Sequence, residues 1–205
     1  MIRILVAEHL PLVRRGLVVS LGAEPDFELA GEVASAGEIV ATAPELKPDV
    51  AVIDVDLPGG DGITDGVAAA AWLHERAPRC RVMILSGQPT PGQVRRAFAV
   101  RALGYMGIQV APEQLAEGIR RIVSGRRAVD SELAIAALQT ADNPLTPREL
   151  DVLRIAAQGA PSKEIADQLF LSVGTVRNHL SRIMCKTGAR NRVDAVRIAG
   201  DAGWL

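Results

Sequence analysis

The 205-residue chain is predicted to fold as an α/β unit, a doubly wound five-stranded parallel sheet, followed by a small all-helical domain. Two observations carry that expectation. Over the first 125 residues, short apolar runs at 2–7, 50–53 and 82–85 alternate with stretches whose apolar residues recur at three and four, the signature of a βα repeat. Buried runs fed by crossover helices imply a parallel sheet with helices on both faces. Beyond Gly125-Arg126-Arg127 the strand signal stops, and from Leu145 onward the periodicity is helical.

Taken in order, weaker strand patterns at 27–33 and 102–106 complete the five, with helices near 10–22, 36–46, 66–76, 91–101 and 112–124. In such sheets function gathers at the carboxyl ends of the strands. Those ends carry Glu8-His9, Asp54, Ser86 and the stretch after Tyr105. An alanine-rich helix is predicted over 130–141, and Asp142-Asn143-Pro144 breaks it. The expected domains are therefore 1–125, a helical linker 126–142, and 143–205. Thr146-Pro147-Arg148-Glu149 has the form of a capping box with proline at the first helical position, so a helix starts there and stops at Gly159. A second starts at Ser162 and runs to about 170, Ser172 caps a third to about 187, and Asn191 caps a last one to about 202.

Composition narrows the function classes. With 48% hydrophobic residues the chain can build its own cores, and a net charge of −1 gives no global field toward nucleic acid or membrane. Polyanion binding must be local. Residues 1–125 hold 12 basic against 15 acidic residues, whereas 143–205 hold 9 against 6. Between Ser172 and Arg197 six cations, Arg177, Arg182, Lys186, Arg190, Arg192 and Arg197, face only Asp194. A solvated helix face accounts for that excess as readily as a polyanion site does. Cys80 and Cys185 form no CxxC pair, no apolar run reaches membrane-spanning length, and the N-terminus turns acidic at Glu8 rather than extending into a signal peptide. A reducing, cytoplasmic setting is expected.

Leu145-Thr146-x-x-Glu149, Gly159, Lys163-Glu164-Ile165-Ala166, Leu171-Ser172-x-x-Thr175-Val176, Asn191-Arg192 and Ala195 together resemble the LuxR-type helix-turn-helix module, over about 60 residues. That resemblance implies double-stranded DNA as partner. Two short helices joined through Phe170-Leu171-Ser172 would set the second in a major groove. Ser172 and Thr175 suit a phosphate at the positive end of that helix, and Lys163 suits phosphate from the helix before it. Arg177 fits guanine and Asn178 adenine, while Ser181 and Arg182 lie a turn further along. For Arg182 a solvated charge is an equal alternative, and His179 and Leu180 are expected to pack. One module reads one half-site, so a homodimer is expected. The last helix is its candidate contact through Val193, Val196, Ile198 and Ala199, although packing within the domain would use some of these.

Glu8 after the first strand, Asp54 after the third, Ser86 after the fourth and Gly104-Tyr105 at the fifth resemble the flavodoxin-like receiver domain of response regulators. With the C-terminal module the chain is similar to the NarL/FixJ class. The resemblance implies magnesium held by two acids and Asp54, phosphoryl attack by Asp54, and a hydroxyl and a lysine on the phosphoryl oxygens. Two positions depart from this pattern. His9 stands where the second acid belongs, and Ile108 where the lysine belongs, with no Lys or Arg between Arg101 and Arg120. Imidazole suits zinc, copper or nickel better than magnesium. Weak or absent magnesium binding and no cofactor are therefore expected.

The segment from Asp54 to Gly66 is also a few residues longer than usual. Gly59, Gly60 and Gly62 suggest a mobile loop, and Asp56 or Asp61 could replace the missing ligand. The resulting expectation is a regulator with an atypical receiver, in which Asp54 is a vestigial carboxylate. Control then falls to a small ligand, a partner protein or constitutive dimerisation. The alternative is conventional phosphorylation of Asp54 by a histidine kinase. A remote one, from Asp54-Val55-Asp56, is a haloacid-dehalogenase-like phosphatase with Asp54 as nucleophile and Asp56 as acid.

Overall fold

The computed structural model describes residues 1–139 and 143–205, which divide into two compact units, Met1–Pro89 with Val94–Ile135 and Ala136–Leu205 with Thr90–Gln93. The first is the α/β unit. Its strands are β1 (Ile2–Ala7), β2 (Phe27–Val33), β3 (Val50–Asp54), β4 (Arg81–Ser86), β5 (Gly104–Gly107) and β6 (Ala128–Val129). All pair in parallel in the order β2-β1-β3-β4-β5-β6. The sheet thus has six strands where five were expected. The sixth is two residues long inside the expected helical linker, and its amides and carbonyls finish the edge of β5 rather than form a patterned run.

Helices α1 (Pro11–Gly22), α2 (Ala36–Leu46), α3 (Gly66–Arg76), α4 (Pro91–Ala99) and α5 (Pro112–Val123) connect the strands. Leu21 of α1 and Leu115, Ile119 and Ile122 of α5 close over Ile4, Val6, Val50, Val52, Met83 and Leu85 on one face. The alternate residues Leu5, Ala51, Ile53 and Ile84 are equally buried, and α2 and α3 pack against the strands that carry them. Burial on both faces is why the central strands read as continuous apolar runs. The strand order reverses between β1 and β3, and a doubly wound sheet opens its crevice at that switch point. Glu8, His9 and Asp54 lie there.

The longer segment after Asp54 contains a tight turn. Gly60 and Ile63 exchange two backbone hydrogen bonds across Asp61 and Gly62, both at positive φ, which Asn, Asp and Gly tolerate best. Gly66 has a different reason to be glycine, since a Cβ there would lie 1.9 Å from the Asp54 carbonyl oxygen.

Helix α6 (Ser131–Gln139) follows β6, and the last residues of the helix predicted over 130–141 lie outside the described residues. The second unit contains α7 (Pro147–Ala157), α8 (Ser162–Leu169), α9 (Val173–Thr187) and α10 (Arg192–Asp201) around Val152, Leu153, Ile165, Val176, Ile183 and Ala195. Each sequence cap forms as read. Thr146 and Glu149 close a reciprocal capping box, Ser172 accepts from the Thr175 amide, and Asn191 accepts from the Asp194 amide. Each such bond satisfies an amide that helix geometry leaves orphaned.

Candidate functional site

In the second unit, α9 divides cleanly. Val176, Leu180 and Ile183 are buried, whereas Arg177, Asn178, Ser181 and Arg182 form one exposed stripe at spacings of three and four. At the head of the helix the Ser172 hydroxyl accepts from the Thr175 amide at 3.0 Å and meets the Thr175 hydroxyl at 2.9 Å. Two hydroxyls therefore sit at the positive end of the helix dipole, where an anion is favoured. Lys163 is exposed in the first turn of α8.

Four of the six cations counted in the sequence are engaged within the fold, two of them, Arg190 and Arg197, while remaining exposed. Lys186 reaches the buried carboxylate of Glu149 at 2.7 Å, and Arg192 donates to the Ala160 carbonyl at 2.9 Å. Arg190 and Arg197 pair with Asp194, whose carboxyl is held down to about 2, first by the Arg190 amide and then by the two guanidinium groups. Arg177 and Arg182 make no ion pair among the described residues. Burial pushes the Glu149 carboxyl up, but bonds from Lys186 and from the Thr146 amide and hydroxyl outweigh it and hold the group below its ordinary value. The Glu149–Lys186 tie ties α7 to α9. Sequence reasoning found the cap but missed its partner 37 residues away, for which no local pattern exists. His179 packs half-buried, and Leu180 joins the core, as expected. Of the apolar side of α10, Ala199 is buried, Val196 packs on the same core and Ile198 is half-buried, so Val193, 74% exposed, is the most open of the four.

At the strand ends of the first unit, Glu8 follows β1 and Asp54 closes β3, both nearly buried. His9 stands between them. Its Nδ1 lies 2.6 Å from Asp54 Oδ2 and 3.3 Å from Glu8 Oε1. The other Asp54 oxygen accepts from the Asp56 amide, and Glu8 Oε1 also accepts from the Leu10 amide. Burial raises the Glu8 carboxyl above its ordinary value, the Leu10 bond opposes that, and the charge of Asp54 adds to it. Asp56 is raised as well, by burial and then by Asp54.

The structure thus brings together Glu8, His9 and Asp54, and their donor atoms all lie within 4.8 Å of one another. Asp56 and Asp61, weighed as replacement ligands, stand outside that group. Asp61 turns instead toward Gly37 at the start of α2. Ser86 is buried at the end of β4, and its hydroxyl accepts from the Gln88 amide. Ile108 follows β5 and donates its amide to the Ser86 carbonyl. Ile108 lines an apolar cleft of about 190 Å³ between α1 and α5 with Val13, Leu17, Pro112 and Leu115, a cleft that none of Glu8, His9, Asp54 or Ser86 lines. No described helix is long and apolar enough to cross a membrane.

An α/β unit with acidic residues at its switch point, joined to a helix-turn-helix unit with an open polar stripe, is the arrangement of a regulator with a nucleic-acid-binding module. Comparison with known proteins supports that class. The response regulator receiver domain matches residues 4–120, and the luxR family of bacterial regulatory proteins matches 143–199. The chain is 38% identical to the response regulator RamR of Streptomyces coelicolor, covering 100% of this chain and 98% of that protein. It is 33% identical to the DNA-binding transcriptional activator DevR/DosR of Mycobacterium tuberculosis, over 97% of this chain and 94% of that one. Among solved structures it is similar to the response regulator ChrA of a heme-sensing two-component system, at 28% identity and TM-score 0.58, covering 100% and 98% of the two chains. The chain belongs to the response regulators, as a receiver domain carrying a luxR-family module. It is a transcriptional regulator and not an enzyme, so the phosphatase reading of Asp54 and Asp56 falls away.

Proposed function

We propose that this regulator binds DNA sequence-selectively as a homodimer and that its receiver, about 1–125, acts without magnesium-dependent phosphorylation. The observation that carries the second half is the His9 Nδ1 contact with Asp54 Oδ2 at 2.6 Å. The residues present do not fit magnesium. That ion asks for oxygen ligands in near-octahedral array, and here an imidazole nitrogen holds an oxygen of Asp54. Ile108 supplies no positive charge against a developing phosphoryl anion, which would otherwise meet two buried carboxylates. Control then belongs to a partner protein, a ligand at the strand ends or constitutive association, and each must favour the DNA-competent dimer to have any effect.

The DNA half rests on the exposed stripe of α9. Arg177 and Asn178 read base edges, Ser181 and Arg182 extend the contact, and Ser172, Thr175 and Lys163 hold phosphates. Residues 143–205 form this module and 126–142 the connection to it. The open Val193 on α10 is a dimer contact between modules. The surroundings are a reducing cytoplasm.

A second reading, phosphorylation of Asp54 by a histidine kinase, is favoured by Asp54 and Ser86 both standing at the ends of neighbouring strands. Incubation with magnesium and acetyl phosphate, followed by intact mass, decides between the two. The proposal expects the unmodified mass. A single phosphoryl adduct that disappears in Asp54→Asn would overturn the proposal and establish Asp54 as the phosphoryl acceptor that the kinase reading requires.

A further inference from the structure

The Glu8–His9–Asp54 group has a property that its misfit to magnesium does not exhaust. It contains two nearly buried carboxylates side by side, and among the described residues no Lys or Arg side chain bonds to either. The nearest guanidinium bond goes elsewhere, since Arg14 donates to the main-chain carbonyl of Glu8 at 2.7 Å. Adjacent buried anions without a full counter-charge are costly, and a divalent cation would neutralise both.

The donor set then selects which cation. One imidazole nitrogen and two carboxylate oxygens suit a borderline metal such as zinc, cobalt or nickel. The spacing agrees. Bonds of about 2.0–2.2 Å in a tetrahedral site put ligand atoms about 3.3–3.6 Å apart. His9 Nδ1 and Glu8 Oε1 already stand 3.3 Å apart, His9 Nδ1 and Asp54 Oδ2 need to open by up to about 1 Å from 2.6 Å, and all three donor atoms lie within 4.8 Å of one another. A bridging metal in place of the shared proton makes that change. His9 is a third exposed, which leaves a route in and room for a solvent ligand.

We propose that Glu8, His9 and Asp54 bind one divalent transition-metal ion of the zinc class, with at least one coordination position open to solvent. The inference rests on the reading of a receiver that has abandoned magnesium. The metal would hold the ends of β1 and β3 at fixed separation, so the site's occupancy becomes an input to the receiver. Other sulfur and imidazole groups are separate from it. Burial pushes the Cys80 thiol up to about 12, and Cys185, His74 and His179 lie outside the group.

Cobalt is the probe, because an imidazole-bound, low-coordinate Co²⁺ absorbs visibly where an all-oxygen octahedral ion absorbs weakly. The full chain, stripped of metal, is titrated with Co²⁺. The expected result is a visible band saturating at one equivalent, lost on adding one equivalent of Zn²⁺ and indifferent to excess Mg²⁺. The band should vanish in His9→Ala and persist in the double variant His74→Ala with Cys185→Ser. If His9→Ala fails to fold, His9→Asp keeps an oxygen donor and should still lose the strong band. No band with the wild-type chain, or a band that survives loss of His9, overturns the metal site. Neither result touches the phosphoryl question, which the mass measurement decides separately.

Discussion

On the proposed reading, an imidazole where receivers carry a carboxylate would change both the charge and the hydrogen-bonding capacity of the first strand's end, and Ile108 would leave the phosphoryl oxygens without a cation. Restoring both should reverse the consequence. His9→Asp with Ile108→Lys is expected to bind Mg²⁺ measurably by calorimetric titration where the parent does not, whereas an unchanged titration would shift the obstacle to the longer segment from Asp54 to Gly66. On α9 the residues divide by what they lose. Arg177→Ala and Asn178→Ala should each cost about 1–3 kcal/mol of discrimination between cognate and mutated sites. Lys163→Ala should instead weaken binding evenly across sequences and lower the salt slope by about one. Competition binding across a panel of single-base operator variants separates the two patterns. His9 and Ile108 were legible as departures because the surrounding pattern was complete. The bond from His9 to Asp54 was not, because it depends on a side-chain rotamer and on two strands that are 45 residues apart in sequence.

Helices announce themselves through caps and periods, which are local, and so α7, α9 and α10 begin where Thr146, Ser172 and Asn191 say they should. Strand β6 gave no such signal, since two residues cannot display a period of two. The charge count of α9 and α10 also misled, because Lys186, Arg190, Arg192 and Arg197 bind inward or to neighbours. The Glu149–Lys186 tie between α7 and α9 makes the second unit sensitive to acid. Glu149 has its folded-state value depressed, so its contribution is present above the unfolded value of 4.5 and is lost as pH falls through the folded value. Thermal unfolding should show Glu149→Gln less stable than the parent near neutrality, with the gap closing as pH falls below the unfolded value of 4.5 and through the lower folded one. Lys186→Met, which strands the carboxylate, should destabilise on the order of 1–3 kcal/mol, toward the low end because Lys186 is a third exposed. Equal melting curves for parent and Glu149→Gln across pH would contradict the tie.

Across the whole molecule, a sheet that gathers chemistry at its switch point is joined to a module that presents a polar helix face, and each half was readable because its signals recur at several spaced positions. DNA affinity should fall with log salt at a slope of about −5 if a dimer neutralises six phosphates. The account turns on whether the receiver needs a phosphoryl group to license that binding. Fluorescence anisotropy of the full chain on a selected operator, before and after incubation with magnesium and acetyl phosphate, beside Asp54→Asn, tests this directly. Superimposable isotherms for all conditions are the predicted result. A several-fold tightening confined to the treated parent, and absent from Asp54→Asn, would contradict it.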